Sequence, residues 1–273
     1  MNHYFKLCHQ MALAFIMAIA VARADWTPPQ NADPDEILEE ARADTDAGRY
    51  EDALAKHVWF HLNALKYSRS LYGVRLSIAL SDWAKLAAAY PPALDKLRSI
   101  RDEAATNIRA AKAKASFDVF LDFTSINNYL KEDDKTKVLF IWVDANNPSL
   151  AKKVYDLAQP ALIQAKEYAV CGKYINPDTR RILDSYRPIK GMVQDGRFDK
   201  ISPGEVKRLQ DHAEKNLKNQ TAILVALLVL NERKADAERV AAEAAKLWDD
   251  PQFKQQLEKA RNEPAQRTSR ARA

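Results

Sequence analysis

The sequence predicts an all-helical protein, and three features of its composition and patterning indicate this fold class. Glycine is scarce, with six residues among 273, whereas alanine, leucine, lysine and glutamate are abundant. These four residue types favour helices, and glycine disfavours them. The alternation of β-branched and polar residues that is typical of strands is nearly absent, and short turn signals separate segments of helical length. We therefore expect helices joined by short turns from about residue 34 onward.

The N-terminal residues 1–24 have the pattern of an export signal. Lys6 is the only charged residue among the first ten, residues 11–21 are continuously apolar, and Ala22-Arg23-Ala24 provides an A-x-A cleavage pattern. Eleven helical residues reach about 16 Å, which is too short for a hydrocarbon core of ~30 Å. We therefore predict a signal peptide cleaved between Ala24 and Asp25, and export to the periplasm or the medium. A buried first helix and an uncleaved anchor are the alternatives.

Helices are predicted in sequence order after a polar, proline-rich leader at residues 25–34. Asp33 and Pro34 begin the first helix as its cap and first residue. Later boundaries follow glycine, proline and polar turn residues, such as Gly48 and the segment Tyr90-Pro91-Pro92. The predicted helices span 34–46, 50–66, 71–88, 92–113, 116–130, 134–144, 149–166, 167–175, 178–194, 203–218, 220–231 and 234–248.

Charge and cysteine content exclude several classes of function. Lys6 and Arg23 leave with the signal, so 42 basic side chains become 40 against 37 acidic ones. A nearly neutral chain of this size gives no indication of a nucleic-acid partner. The longest apolar run after the signal, 222–230, is too short to span a membrane. Cys171 alone remains, which excludes an internal disulfide and a cysteine-based metal cluster. We expect Cys171 to be buried; an intermolecular disulfide is the alternative.

Several of the turns share one pattern, in which an aromatic residue often follows the end of a helix and a small residue follows three positions later. The clearest example is Gly48-Arg49-Tyr50-Glu51-Asp52-Ala53-Leu54, and the segment 120–148 also fits. This pattern resembles the tetratricopeptide-repeat (TPR) superfamily of helical hairpins. The resemblance implies a solenoid of about six antiparallel hairpins over 35–257 and a surface that binds a protein or peptide. Pro160 within one helix and uneven spacing leave irregular hairpins without repeat ancestry as the alternative.

The C-terminal residues 258–273 lack large apolar side chains and accumulate arginine. We predict a disordered basic tail. Such a tail either contacts an acidic partner in the cell envelope, so that the protein is a structural component there, or merely increases solubility.

The candidate ligand-binding residues are centred on the second predicted helix. His57 and His61 are four residues apart, so both imidazoles lie on one helical face and could share a metal ion. No third ligand is evident from the sequence, although Asp82 or a residue from 122–128 could supply one, and no metal or other cofactor is predicted. The alternative for the aromatic residues of this region is ordinary core packing. The predicted binding set on a concave wall consists of His57, His61, Asn63, Tyr72, Arg75 and Trp83.

The sequence contains no complete catalytic motif. Ser149-Leu150-Ala151-Lys152 matches the S-x-x-K pattern of serine enzymes, but the companion motifs of that class are absent or out of order. The sequence thus favours a non-catalytic protein that binds a protein or peptide. The alternative is a metal-binding protein or enzyme centred on His57 and His61.

Overall fold

The computed structural model describes residues 26–178, 180, 182, 184, 185 and 202–269. Within these ranges every regular element is a helix and there is no strand, so the predicted all-helical class is confirmed. The predicted signal peptide lies outside the described residues, as does most of the predicted helix 178–194. Among the described residues, no helix is both long enough and apolar enough to cross a bilayer.

The chain divides into two compact units, residues 1–96 (unit 1) and residues 97–273 (unit 2). Unit 1 contains helices α1 to α4 and the start of α5, and a short 3-10 turn at Arg69–Leu71 precedes α3. The bounds are Pro34–Asp46 for α1, Tyr50–Tyr67 for α2, Tyr72–Leu76 for α3, Ile78–Ala89 for α4 and Pro91–Ala111 for α5.

The predicted single helix 71–88 is wrong, because the chain breaks at Ser77. The Ser77 amide donates to the Val74 carbonyl, three residues back, instead of continuing the four-residue pattern. Its hydroxyl donates to the Gly73 carbonyl at 2.7 Å, and its ψ of −86° is not helical. Serine competes for backbone carbonyls in this way, which weakens helix interiors. The break separates α3 from α4.

Helices α1 and α2 form a hairpin, which a buried ion cluster fastens. Gly48, at a φ of +76°, supplies the left-handed residue between the helices. Lys56 of α2 donates to Asp44 of α1 at 2.6 Å, and Arg49 donates to the same carboxylate. Burial alone would raise the pKa of Asp44, but these hydrogen bonds hold it below its usual value. The leader also contacts this hairpin, since Trp26 packs edge-on against Trp59.

Unit 2 contains the rest of α5 and helices α6 to α13. The bounds are Phe117–Leu130 for α6, Asp133–Asn146 for α7, Pro148–Gln164 for α8, Tyr168–Gly172 for α9, Pro203–Leu230 for α10, Lys234–Leu247 for α11, Pro251–Asn262 for α12 and Pro264–Ser269 for α13. The two helices predicted at 203–218 and 220–231 are a single helix of 28 residues. Neither glycine nor proline interrupts its interior. The Thr221 hydroxyl donates a hydrogen bond to the Leu217 carbonyl of the same helix.

The predicted disorder of the tail is wrong for residues 258–269, which lie in α12 and α13. Asp250 caps α12, and Phe253, Leu257 and Ala260 form a buried stripe at helical spacing. Both helices contact α10, and Arg267 of α13 donates to Asn219 at 2.5 Å. This stripe begins before the predicted tail and reaches into it at Ala260, so the start of the tail continues α12. The last four residues, 270–273, lie outside the described residues.

The core of unit 2 is a continuous apolar cluster contributed by α5 to α12. Phe140 lies at its centre and contacts Phe120, Tyr155 and Tyr174 edge-on or tilted, with ring centroids 5.6 to 6.4 Å apart. Cys171 is fully buried and unpaired, so the predicted burial of this thiol is confirmed. Burial raises the pKa of the Cys171 thiol to about 11, which keeps it protonated near neutral pH.

Candidate functional site

Four of the six predicted binding residues lie together inside unit 1. The His57 ring stacks on Trp83 at a centroid distance of 5.8 Å, and the His61 ring meets the same indole edge-on at 6.1 Å. The indole Nε1 of Trp83 donates to the Ala93 carbonyl at 3.0 Å. The spacing of four residues on α2 thus produces the shared face predicted from the sequence, and this face encloses an indole from α4.

Arg75 of α3 closes this group from the side of His61. Its guanidinium Nη1 lies 3.1 Å from His61 Nε2 and 3.4 Å from the His61 carbonyl. Because a guanidinium only donates hydrogen bonds, His61 Nε2 accepts and the ring proton is on Nδ1. The Tyr72 ring lies 5.8 Å from the Arg75 guanidinium carbon. Tyr72 therefore contacts the group through Arg75.

His57 is more isolated than His61. Within the part of the chain that the structure describes, neither of its ring nitrogens has a hydrogen-bond partner, and only 1% of the residue is exposed. Burial lowers the pKa of His57 to about 4, although Asp82 partly opposes this effect. Burial and the nearby Arg75 lower the pKa of His61 to about 3. Both imidazoles are therefore neutral at physiological pH.

The geometry does not assemble metal ligands around the two histidines. Asp82, the proposed third ligand, accepts a hydrogen bond from Arg42 Nε at 2.6 Å. Asn127, in the other proposed segment 122–128, is hydrogen-bonded to Arg101 and Thr136 within unit 2. Over the described ranges, no group of three or more histidine, cysteine, aspartate or glutamate residues could hold a metal ion. The guanidinium beside His61 Nε2 also disfavours a cation there.

The predicted position of the binding set on an open wall is wrong for these four residues. His57, His61, Arg75 and Trp83 are at most 8% exposed, so they belong to the interior of unit 1. Asn63 lies apart from them, where its amide nitrogen donates to the Trp59 carbonyl at 2.8 Å. Ordinary core packing, the alternative reading of this aromatic region, explains the placement better.

A cleft of about 210 Å³ lies in unit 2, away from the residues predicted to bind a ligand. Tyr155 and Tyr174 form part of its wall, and their rings stack at a centroid distance of 5.2 Å. Helix α8 supplies one side and α10 supplies another, so the elements that build the core of unit 2 also position the cleft. The residues that line it are Tyr155, Asp156, Gln159, Tyr174, Ile175, Asn176, Asp178, Ile182, Ser185, Leu217, Gln220, Thr221 and Leu224.

Hydrogen bonds hold both tyrosines in place. Gln159 Nε2 donates to the Tyr155 hydroxyl at 2.9 Å, and the Tyr174 hydroxyl donates to Asp144. Burial raises the pKa of both phenols, and the hydrogen bond to Asp144 raises that of Tyr174 further. The two rings therefore stay neutral and form a fixed aromatic surface.

The rim of the cleft carries polar groups with free capacity. Over the described residues, Asp156 and Gln220 have no side-chain hydrogen bond or ion pair. Asp178, in contrast, is paired with Arg180 at 2.6 Å, and hydrogen bonds from Arg180 lower its pKa to about 2. No lysine, arginine or histidine is among the described lining residues. The cleft thus combines an aromatic surface, unused amide groups and negative charge.

One sequence signal could have identified this cleft. Asp156 and Gln159 lie beside the buried stripe of α8, and Gln220 lies beside the long apolar run of α10. Polar residues adjoining an apolar stripe on two helices mark a partly open edge, but sequence alone does not show that α8 and α10 meet. The motif around Ser149 has a simpler explanation, because Ser149 and Lys152 lie exposed in the first turn of α8, which Asn147 caps.

The arrangement of the cleft can bind a protruding group through stacking and hydrogen bonds. Its volume is below the ~300–1,000 Å³ that is typical of small-molecule sites. Comparisons of the chain with models of protein families, with curated proteins and with solved structures found no match.

Proposed function

We propose that this chain is an exported, non-catalytic binding protein that holds a protein or peptide partner in the cleft of unit 2. The observation that carries the proposal is the rim of the cleft, where Asp156 and Gln220 have unused hydrogen-bonding groups next to a tyrosine surface. Both side chains are exposed at the mouth of the cleft, so a partner can reach their hydrogen-bonding groups. A volume of about 210 Å³ suits one anchoring side chain of a longer partner.

The helical architecture supports the same proposal. Hairpins such as α1 with α2 and α7 with α8 pack through their apolar faces. In our proposal, these hairpins are degenerate repeats of the TPR-like type, and each presents helical surface to a partner. Such surfaces recognise polypeptide chains more often than they perform chemistry. Since a fold is weak evidence for function, the proposal depends on the cleft.

Peptide display against the full chain tests the proposal. Peptides selected on the wild-type protein should bind Gln220→Trp at least about tenfold more weakly, because the indole fills the mouth of the cleft and removes the amide. Gln255→Trp is the matched control, since Gln255 is an exposed glutamine of the same unit that does not line the cleft. Peptides that bind all three proteins equally, or no enrichment at all, would overturn the proposed site.

Export requires a separate measurement. Mass spectrometry of the protein recovered from its native cells should show a chain that begins at Asp25, as the A-x-A pattern predicts. An intact N-terminus in a cytoplasmic fraction would contradict export without affecting the binding proposal.

A further inference from the structure

The cleft of unit 2 has a charge pattern that specifies its ligand more closely, and this inference rests on the proposed binding function. We infer that the group bound in the cleft is a cationic side chain, an arginine or a lysine, of the partner. The inference deepens the proposal by naming the chemistry of the anchoring residue.

The cleft carries a net negative charge on its described lining residues. The described lining contains two carboxylates, Asp156 and Asp178, and no cationic side chain. Arg180 neutralises Asp178 at 2.6 Å, whereas Asp156 has no ion-pair partner in the described part of unit 2. The unbalanced charge in the cleft is therefore that of Asp156. An anionic ligand would be repelled by this charge, and a cationic one attracted.

Two tyrosine rings also line the cleft. Tyr155 and Tyr174 line the cleft and stay neutral, and an aromatic ring carries its negative potential over its face. A cation within about 6 Å of an aromatic ring is attracted by the quadrupole of the ring. Leu217 and Leu224 of α10 also line the cleft and can pack against the methylene groups of a long side chain.

The rim of the cleft offers several hydrogen-bond acceptors. Gln159 uses its amide nitrogen on Tyr155, which leaves its carbonyl oxygen available, and the whole amide of Gln220 is unused within the described residues. With the Asp156 carboxylate, the rim offers acceptors from both α8 and α10. A guanidinium carries five N–H donors and an ammonium three, and neither accepts hydrogen bonds. Donor-rich cations therefore match the rim better than amide or hydroxyl side chains.

A titration with isosteric peptides tests the inference. The probes are the capped peptides acetyl-Gly-Arg-Gly-amide and acetyl-Gly-citrulline-Gly-amide, which differ in charge and hardly in shape. Binding to the full chain is followed by the NMR signals of the side-chain amides, including Gln159 and Gln220. We expect the arginine peptide to bind up to about fivefold more tightly at low salt, the upper end of the range for an exposed ion pair. The difference should shrink at 0.5 M NaCl, because salt screens exposed charges.

Two variants assign the effect to the carboxylate. Asp156→Asn should remove the preference for arginine over citrulline. Asp211→Asn is the matched control, because Asp211 is an exposed acid of α10 outside the cleft, and it should retain the preference. Equal binding of both peptides by the wild type, or a preference that survives Asp156→Asn, would overturn the inference.

The outcomes also separate this inference from the proposed function. Displayed peptides that lose binding with Gln220→Trp but need no basic residue would leave the function standing and refute the cationic anchor. Failure of every peptide to occupy the cleft would refute both.

Discussion

The two units each enclose an aromatic cluster, but they treat the polar atoms of those clusters differently. In unit 1, His57 lies against Trp83 with both ring nitrogens buried and without hydrogen bonds among the described residues. In unit 2, the hydroxyls of Tyr155 and Tyr174 reach Gln159 and Asp144. Because the polar tips of the tyrosines reach the edge of the core, they help to form a cleft. The histidines are sealed inside and form none, so two similar sets of aromatic residues lead to a closed core and an open site.

The largest expected effect is the loss of the indole at the centre of unit 1. Trp83→Ala should lower the free energy of unfolding by about 3–5 kcal/mol, because it leaves a cavity between the two histidines and frees the Ala93 carbonyl. Hydrogen exchange by mass spectrometry should show the loss of protection in α2. Trp59→Ala, at a half-exposed position of α2, should lower the free energy of unfolding by less than half as much. Equal costs would contradict the central role of Trp83.

The second expected effect is a loss of stability of unit 1 in mild acid. His57 and His61 titrate near 4 and 3 in the folded state and near 6.5 when unfolded, so the unfolded chain binds more protons below pH 6.5. Stability should be complete above pH 6.5 and fall as the pH decreases toward 4. Each histidine contributes a slope of up to about 1.4 kcal/mol per pH unit.

Hydrogen exchange at pH 7 and pH 5, corrected for the intrinsic exchange rates, measures this difference. Amides of α2 should lose more protection than those of α10. A variant of the exposed His212 should leave the result unchanged. An equal loss of amide protection in α2 and α10 would show that the two units respond alike to acid.

The third expected effect concerns a close approach in unit 2. A Cβ at Gly172 would lie 2.0 Å from Asn231 Oδ1, and the Asn231 amide nitrogen donates to the carbonyls of Tyr168 and Leu227. Gly172→Ala should therefore cost about 1–3 kcal/mol, the usual cost of a displaced buried hydrogen-bonding group. Gly73→Ala is the control, since a Cβ there meets nothing within 4 Å. Urea denaturation should show that the control is neutral or slightly stabilising.

The sequence predicts the elements better than their assembly. Helix α1 begins and ends where the cap at Asp33 and the turn at Gly48 place it, because these signals act within a few residues. The tail from residue 258 was predicted to be disordered because its composition is polar, yet its first residues continue α12, whose apolar stripe starts at Phe253, and both α12 and α13 contact α10. The paired histidines were predicted correctly as neighbours and incorrectly as exposed, since helical spacing fixes a shared face but not what covers it. The cleft is lined by residues of α8 and α10 that are more than fifty positions apart in the sequence, a proximity that no local pattern reports.

The smallest expected effect is also the most direct test of the contrast between the two clusters, because it removes one polar function from each. His57→Phe keeps a flat ring against Trp83 and removes two nitrogens that have no hydrogen bond in the described structure. At pH 7 we expect no cost, or a gain of up to about 1 kcal/mol, and a smaller acid slope.

Tyr155→Phe removes a hydroxyl that accepts a hydrogen bond from Gln159, and it should cost about 1 kcal/mol. Urea denaturation gives the free energy of unfolding of each variant at pH 7 and at pH 5. Only the histidine variant should reduce the difference between the free energies of unfolding at pH 7 and pH 5, because a phenol does not titrate in this range. A stabilising Tyr155→Phe would show that its hydroxyl is no better satisfied than the nitrogens of His57. The difference between a sealed core and an open cleft would then have to come from backbone placement alone.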